Sequence, residues 1–392
     1  MILRFRHLKS TFFLCFFVLS AARIFAQIPP QPGAQNTSVY FPKLKDKRVA
    51  VVAHAASRIQ TSKKSVHLID SLLVAGIEVV KIFAPEHGFR SREDNGALIK
   101  DDIDATTQLP IISLHGKHRK PSPEHLKDID IVLFDLQDVG VRFYTYLSTL
   151  HLVMEACAES NVPLLLLDRP NPNGHYVDGP VMEDQYKGFL GMHNIPIVHG
   201  LTLGEYAGMI NGEGWLNDQL QCRIEVIALA HYTHQTPYDL PVRPSPNLPN
   251  AKAINLYPSL CLFEQTPISI GRGTEKQFQV VGHPALQGPY RFTPQPNFGA
   301  KYPKLQGQQC QGLDLSTTVR QDRFNLEWLL WAYQQFPDKA TFFKPRFAYL
   351  AGNDRLEAQI KAGKTAKEIR ESWGKGLEEY NRMREKYLLY PD

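Results

Sequence analysis

The sequence predicts an α/β protein in which a mainly parallel sheet carries helices on both faces and a smaller mixed α/β domain follows. Continuous apolar runs alternate with stretches whose apolar residues recur at helical spacing. The chain has 392 residues, and single hydrophobic cores stop growing near ~250 to 300 residues. Two domains are therefore expected. A composition of 43% hydrophobic and 21% charged residues is typical of a globular protein.

Residues 1–26 have the layout of a secretory signal peptide. Three basic residues precede an apolar run over residues 11–22, and Ala26 supplies a small residue at its end. The run is too short to span a bilayer comfortably. We expect cleavage, a periplasmic or secreted product without stable membrane insertion, and an N-terminal linker over residues 27–47.

The first strand is predicted in RVAVVAHA, followed by a helix in SVHLIDSLLVAG that ends at Gly76 and a second strand in IEVVKIFA. The pattern continues with PIISLHG as a strand, PEHLKDI as a short helix, DIVLFDLQD as a strand, a helix from about Tyr144, and PLLLLDRP as a strand. This alternation predicts a Rossmann-like sheet over residues 48–235. AHAASRIQ stands where a dinucleotide-binding GxGxxG turn is required, so no cofactor is expected.

Further along, Thr202 and Glu205 have the spacing of a capping box, and CRIEVIAL is predicted to be a strand. Residues 236–250 contain five prolines, which exclude regular structure and suit a crossing between domains. Residues 251–392 then form the predicted C-terminal domain. It includes a helix in NLEWLLWAYQQF and another opened by Thr365 and Glu368.

The net charge of +5 is too small to indicate a nucleic-acid partner. Four cysteines follow the signal peptide, namely Cys157, Cys222, Cys261 and Cys310, and no two are spaced as in a zinc site. No metal is therefore expected. Disulfides and buried thiols are both open.

Polar side chains follow the predicted strands at the points where ligands bind in open α/β sheets. They are His54 after the first strand, Glu86 and His87 after the second, His115 after the third, Asp135, Gln137 and Asp138 after the fourth, and Asp168, Arg169, Asn171 and Asn173 after the fifth. A single histidine at a strand end is more often a buried structural residue, so the clustering carries the argument.

Glu86 lies in FAPEHGFR, in a turn held by Pro85 and Gly88 and flanked by phenylalanines. A partly desolvated carboxyl there would suit a general acid, and the alternative is an exposed side chain or an ion pair with Arg90. Glu183 in DGPVMED could be a second carboxylate. Two carboxyl groups across a glycosidic bond are the minimal apparatus of most glycosidases.

Arg142 and Tyr144 lie in DLQDVGVRFYTYLSTL, where the guanidinium could grip a carboxylate and the ring could contact a sugar. The alternative for Arg142 is an ion pair with Asp135 or Asp138. In the C-terminal half, Arg272 stands between two glycines in SIGRGTEKQF, an arrangement that can bind an anion or serve simply as a turn. Candidate substrate-binding residues there are Glu264, Arg272 and His283.

Eight segments resemble, in order and spacing, the exo-acting β-N-acetylmuramidases of glycoside hydrolase family 171. They are FAPEHGFR, DLQDVGVRFYTYLSTL, LDRPNPNG, GPVMED, HGLTLGEYA, PSPNLPN, YPSLCLFEQT and SIGRGTEKQF. The resemblance extends from about Arg48 to the closing YLLYPD. It implies a Rossmann-like domain joined to a smaller one, a cleft between them, and release of terminal N-acetylmuramic acid from non-reducing ends of peptidoglycan fragments such as N-acetylmuramic acid linked to N-acetylglucosamine.

On the matched segments, the resemblance implies Glu86 as the catalytic acid and Glu183 as the second carboxylate. Muramic acid carries a lactyl carboxylate, which Arg142 or Arg272 could recognise. Hydrolysis of another amino-sugar linkage, such as that of N-acetylglucosamine, and a non-catalytic glycan-binding wall protein remain alternatives. A metal-dependent hydrolase lacks the HExxH spacing. The anomeric outcome, assistance by the substrate's acetamido group, the preferred aglycone and the oligomeric state stay open.

Overall fold

The structure is a computed structural model, and it describes residues 28–60, 64–89 and 101–392. The predicted signal peptide and Arg90 lie outside the described residues. Among the helices of the described ranges, none is both long and apolar enough to cross a membrane.

Twelve strands are present in the described ranges. They are β1 (Val49–Ala53), β2 (Arg58–Gln60), β3 (Ser65–His67), β4 (Val79–Ala84), β5 (Asp102–Ile103), β6 (Pro110–Ser113), β7 (Ile131–Asp135), β8 (Leu164–Leu167), β9 (Ile224–Ile227), β10 (Val280–His283), β11 (Tyr290–Phe292) and β12 (Cys310–Asp314). Seven of them form the main sheet in the order β5-β6-β4-β1-β7-β8-β9. The pairs are parallel except at the β5 edge, which is antiparallel to β6.

The helices pack on both faces of this sheet or in the C-terminal part. They are α1 (Thr37–Leu44), α2 (Leu68–Val74), α3 (Pro123–Leu126), α4 (Tyr146–Glu159), α5 (Leu203–Gly212), α6 (Ala251–Leu260), α7 (Glu327–Gln335), α8 (Phe347–Ala351), α9 (Arg355–Lys361), α10 (Ala366–Glu371) and α11 (Gly374–Arg384). Residues of the predicted linker thus form α1.

The predicted α/β fold is confirmed, and its strand order places a switch point in the sheet. Following the chain, β4 and β6 are added on one side of β1, and β7 is then added on the other side of β1. In doubly wound sheets, ligands bind outside the carboxyl ends of the strands near such a reversal.

Alternate residues of the central strands pack into two different cores. Val52 and Phe134 belong to the core that includes α4 and α5, while Val51 and Leu133 belong to the core beneath α1 and α2. Successive strand side chains point to opposite faces. Because both faces are covered, every residue of β1 and β7 is buried, which explains why these strands are apolar apart from Asp135 at the end of β7.

Several local predictions are confirmed. Both capping boxes are present, at Thr202 with Glu205 and at Thr365 with Glu368. Residues 236–250 contain neither helix nor strand. The predicted helix that starts at Ser65 is shorter, because residues 65–67 pair with β2 as a hairpin.

The C-terminal part contains the antiparallel sheet β10-β12-β11 and α7 to α11. It shares one hydrophobic core with the main sheet, since Leu150 of α4 and Phe347 of α8 belong to the same cluster. The last residues return to the sheet, where the Tyr390 hydroxyl donates to Asp168 over 2.7 Å. The four cysteines named above are buried free thiols.

Candidate functional site

A cavity of about 530 Å³ opens between the ends of β4 and β6, the start of α4, and the C-terminal part. This volume lies in the usual range of ~300 to 1,000 Å³ for small-molecule sites. Two carboxylates, Glu86 and Glu264, and three cations, Arg119, Arg272 and Arg346, line it. Its aromatic lining comprises Phe143, Tyr144, Phe189, Tyr257 and Phe278. The residues singled out from the sequence that line it are Glu86, His87, His115, Tyr144, Glu264 and Arg272.

The turn after β4 directs Glu86 into the cavity. His87 and Gly88 both have left-handed backbone, with φ of 70° and 75°. Glycine adopts this conformation freely, whereas for histidine it is uncommon and costs energy. Glu86 is only 7% exposed. A tight turn therefore holds a largely desolvated carboxyl at the cavity wall.

The start of α4 fixes that carboxyl from the other side. The Thr145 hydroxyl donates to Glu86 Oε2 over 2.8 Å. Thr145 is the N-cap residue of α4 but makes no side-chain cap hydrogen bond, so its hydroxyl is available to Glu86.

Glu264 and Arg272 form an ion pair inside the cavity, with Arg272 Nε 2.6 Å from Glu264 Oε1. Burial acts to raise the pKa of Glu264, but Arg272 and Lys304 hold that pKa below its usual value. Arg272 sits between Gly271 and Gly273, whose φ values are 81° and 79°. A Cβ at Gly271 would lie 2.4 Å from the Lys276 carbonyl oxygen, so this turn requires glycine.

Sequence reasoning missed Arg119 and Arg346. Arg119 stacks its guanidinium 4.3 Å from the Phe189 ring centroid. Arg346 immediately precedes α8 and is exposed at the cavity. Arg119 follows the predicted strand PIISLHG by three residues, so the rule that located the other strand-end residues could have found it. Arg346 stands neither in a short motif nor after an apolar strand, since the tertiary fold alone brings α8 to the main sheet.

Glu183 does not line this cavity. Its carboxylate pairs with Arg355 over 2.7 Å and accepts a hydrogen bond from Gln185 over 3.0 Å. The structure thus does not bring Glu183 and Glu86 to one wall, and the catalytic role of Glu183 stays a prediction.

Arg142 is 1% exposed and is used within the protein. Its guanidinium donates to the carbonyl oxygens of Pro180, Ile195 and Leu350 over 2.8 to 3.0 Å. Burial lowers its pKa to about 9. It does not line the cavity. The alternative of an ion pair with Asp135 or Asp138 does not hold either, because within the described ranges the Arg142 guanidinium bonds only carbonyl oxygens and Asp135 pairs with Arg169.

The polar loop after β8 is internally satisfied. Arg169 grips Asp135 through two hydrogen bonds of 2.5 and 2.9 Å. The Asn171 amide donates to the Leu201 carbonyl, and that of Asn173 donates to the carbonyls of Val139 and Ile254. Asp168 accepts hydrogen bonds from the Thr202 and Tyr390 hydroxyls, and burial raises its pKa to about 6.

The remaining predicted residues also contact protein groups outside the cavity lining. His54 accepts from the Gln137 backbone, and its burial together with Arg169 lowers its pKa well below the usual value. The Gln137 amide donates to backbone carbonyls, and Asp138 accepts from Gly140. His283 packs against Phe336. Substrate binding by these residues stays a prediction.

Comparisons with known proteins match this architecture over nearly all of its length. The model of the exo-β-N-acetylmuramidase NamZ N-terminal domain matches residues 49–252, and that of the NamZ C-terminal domain matches residues 255–390. The peptidoglycan β-N-acetylmuramidase NamZ of Bacillus subtilis (strain 168) is 35% identical over 374 residues, which cover 90% of this chain and 89% of that protein.

Two crystal structures of DUF1343 family proteins from Bacteroides fragilis NCTC 9343 have the same fold. One is 46% identical with a TM-score of 0.85 and covers 93% of this chain and 100% of its own. The other is 27% identical with a TM-score of 0.80 and covers 93% and 99%. The family matches together span both parts of the chain, and the chain therefore belongs to the NamZ family of exo-β-N-acetylmuramidases.

Proposed function

We propose that this protein is a glycoside hydrolase that releases terminal N-acetylmuramic acid from the non-reducing ends of peptidoglycan fragments. The family and the Bacillus subtilis relative, which is named a peptidoglycan β-N-acetylmuramidase, support the reaction. The observation that carries the proposal is a desolvated carboxyl, Glu86, facing a cavity that three arginines line.

Glu86 is proposed to protonate the glycosidic oxygen. Its hydrogen bond from Thr145 fixes Oε2, so the carboxyl is oriented before substrate binds. Positioned general acids contribute ~10²- to 10⁴-fold to a rate.

We infer that Glu264 is a better candidate than Glu183 for the second carboxylate. Glu264 lines the same cavity as Glu86 and is held ionised by Arg272. An ionised carboxylate can act as base or nucleophile or can stabilise an oxocarbenium-like transition state. Glu183 is turned toward Arg355 instead.

Arg346 is our choice for binding the lactyl carboxylate. It is exposed at the cavity, and its guanidinium forms no ion pair with any residue that the structure describes. Arg272 is already paired with Glu264, and Arg142 is buried on backbone carbonyls. An unpaired arginine can bind a carboxylate through two parallel hydrogen bonds.

The test uses two disaccharides that differ at the non-reducing end, one ending in N-acetylmuramic acid and one in N-acetylglucosamine. Purified protein is incubated with each, and the released sugar is identified by mass. Release of N-acetylmuramic acid alone is expected. Preferred release of N-acetylglucosamine would show that the enzyme acts on another amino-sugar linkage. Binding of glycan without release of either sugar would show that the protein is a glycan-binding module.

We also propose that the protein is exported and cleaved after Ala26, on the basic and apolar pattern of residues 1–26. N-terminal sequencing of the protein from the periplasm or the medium should begin at Gln27. An uncleaved cytoplasmic chain would refute this proposal and leave the reaction untouched.

A further inference from the structure

Four aromatic or apolar side chains that are exposed or half-buried lie at the cavity or next to residues that line it. We call Tyr186, Phe189, Leu190 and Tyr349 the rim. Phe189 and Leu190 line the cavity, and Leu190 is 42% exposed. Tyr349 is 45% exposed. Exposed apolar patches bordered by polar groups mark ligand-binding surfaces.

Tyr349 is joined to the cavity through its helix. It lies in the same helical turn as Arg346 and Leu350, both of which line the cavity. Tyr186 meets it edge to face, with ring centroids 5.6 Å apart and an interplanar angle of 89°. This contact supports the exposed Tyr349 ring from one side.

The loop that carries the rest of the rim is already ordered. Gly188 and Gly191 exchange two backbone hydrogen bonds of 2.8 and 2.9 Å. The Ser148 hydroxyl donates to the Phe189 carbonyl over 2.9 Å, and Arg119 stacks on the Phe189 ring. A ligand therefore meets a preorganised surface, which reduces the ordering cost of binding.

We propose that the rim binds the sugar on the reducing side of the scissile bond, the aglycone. This inference rests on the proposed function. An exo-acting enzyme encloses the terminal sugar, so the rest of the glycan must leave through the mouth of the cavity. Tyrosine offers an apolar ring face to the C–H face of an uncharged amino sugar and a hydroxyl to its polar groups. The rim thus selects glycan fragments over muramides with small aglycones.

The experiment compares a disaccharide, N-acetylmuramic acid linked to N-acetylglucosamine, with N-acetylmuramyl β-fluoride, whose leaving group is a single atom. For Tyr349→Ala we expect kcat/KM on the disaccharide to fall about 5- to 30-fold while kcat/KM on the fluoride is unchanged. Tyr349→Phe should restore most of the loss. Tyr302→Ala removes a 91% exposed tyrosine that does not line the cavity and serves as the matched control.

Equal loss on both substrates, or no loss on either, would overturn the rim as an aglycone site. Wild-type release of N-acetylmuramic acid from the fluoride tests the proposed function separately, because that substrate has no second sugar. Thermal unfolding of each variant checks that the exposed positions leave the fold intact.

Discussion

The loop after β8 and the cavity beside β4 lie at the same edge of one sheet, and both are rich in polar residues. In the loop, Asp168 and Arg169 are saturated by protein partners. In the cavity, Glu86 lies at the wall with Oε2 accepting a hydrogen bond from Thr145, and Arg346 is exposed to the cavity. A buried polar group without partners is costly, so a satisfied network stabilises the fold while groups that face a cavity remain available to a ligand. Residue type is alike in both regions, and only the position of each side chain relative to the cavity separates them.

Among the substitutions that test this difference between loop and cavity, Glu86→Gln is expected to have the largest effect, and that effect is on activity. Loss of the proton donor should lower kcat/KM by ~10²- to 10⁴-fold with little change in thermal stability. Rates of N-acetylmuramic acid release and thermal melts measure both. Glu183→Gln is the control, because its carboxylate lies outside the cavity. If Glu183→Gln were equally inactive, Glu183 rather than Glu264 would be the candidate for the second catalytic carboxylate.

Arg169→Met should act on the fold instead. It leaves the fully buried Asp135 carboxylate without its partner, which typically costs ~3 to 5 kcal/mol of unfolding free energy. Urea denaturation measures the loss. Arg48→Met, which breaks the exposed ion pair with Asp130, should lower the unfolding free energy far less, because water screens that pair. If folded Arg169→Met were fully stable but could not bind substrate, the distinction between loop and cavity would fail.

We expect the folding stability of the protein to depend on pH through Asp168. Burial raises the pKa of the Asp168 carboxyl from 3.8 to about 6. Between these two pH values the folded state keeps a proton that the unfolded state has released. Folding stability from this group is present below pH ~4 and is lost as pH rises to ~6, by at most ~2 to 3 kcal/mol. The unfolding free energy of wild type relative to Asp168→Asn should fall across this window. A pH-independent difference would show that Asp168 is already ionised.

Arg346→Gln should have the smallest effect. Loss of the charge-assisted contact to the lactyl carboxylate should lower kcat/KM for muramic acid substrates about tenfold. Arg355→Gln, which removes an exposed arginine outside the cavity, is the control. If the kinetics of Arg346→Gln were unchanged, Arg272 or Arg119 would become the candidate for binding the lactyl carboxylate.

Much of the fold followed from local patterns. Buried parallel strands had to be continuous apolar runs because both sheet faces are covered, and β1, β4, β6, β7, β8 and β9 lie within the predicted segments. Capping boxes marked the starts of α5 and α10 because each pairs a threonine and a glutamate with backbone N–H groups of the same helical turn, three residues apart. The two-residue edge strand β5 and the β2–β3 hairpin were not predicted, since short strands carry little periodic signal.

By itself the sequence determined the parallel sheet, the polar residues at its carboxyl edge, and Glu86 in a constrained turn. These depend on contacts a few residues apart or on continuous apolar runs along the chain. The tertiary structure decided which polar residues line the cavity and which are enclosed by protein. In the folded chain, Arg142 donates hydrogen bonds to the carbonyl oxygens of Pro180, Ile195 and Leu350, which lie 38 to 208 residues away along the sequence. The fold also brings Arg346 to the cavity. Such partners are set by packing between distant segments, which no local pattern records.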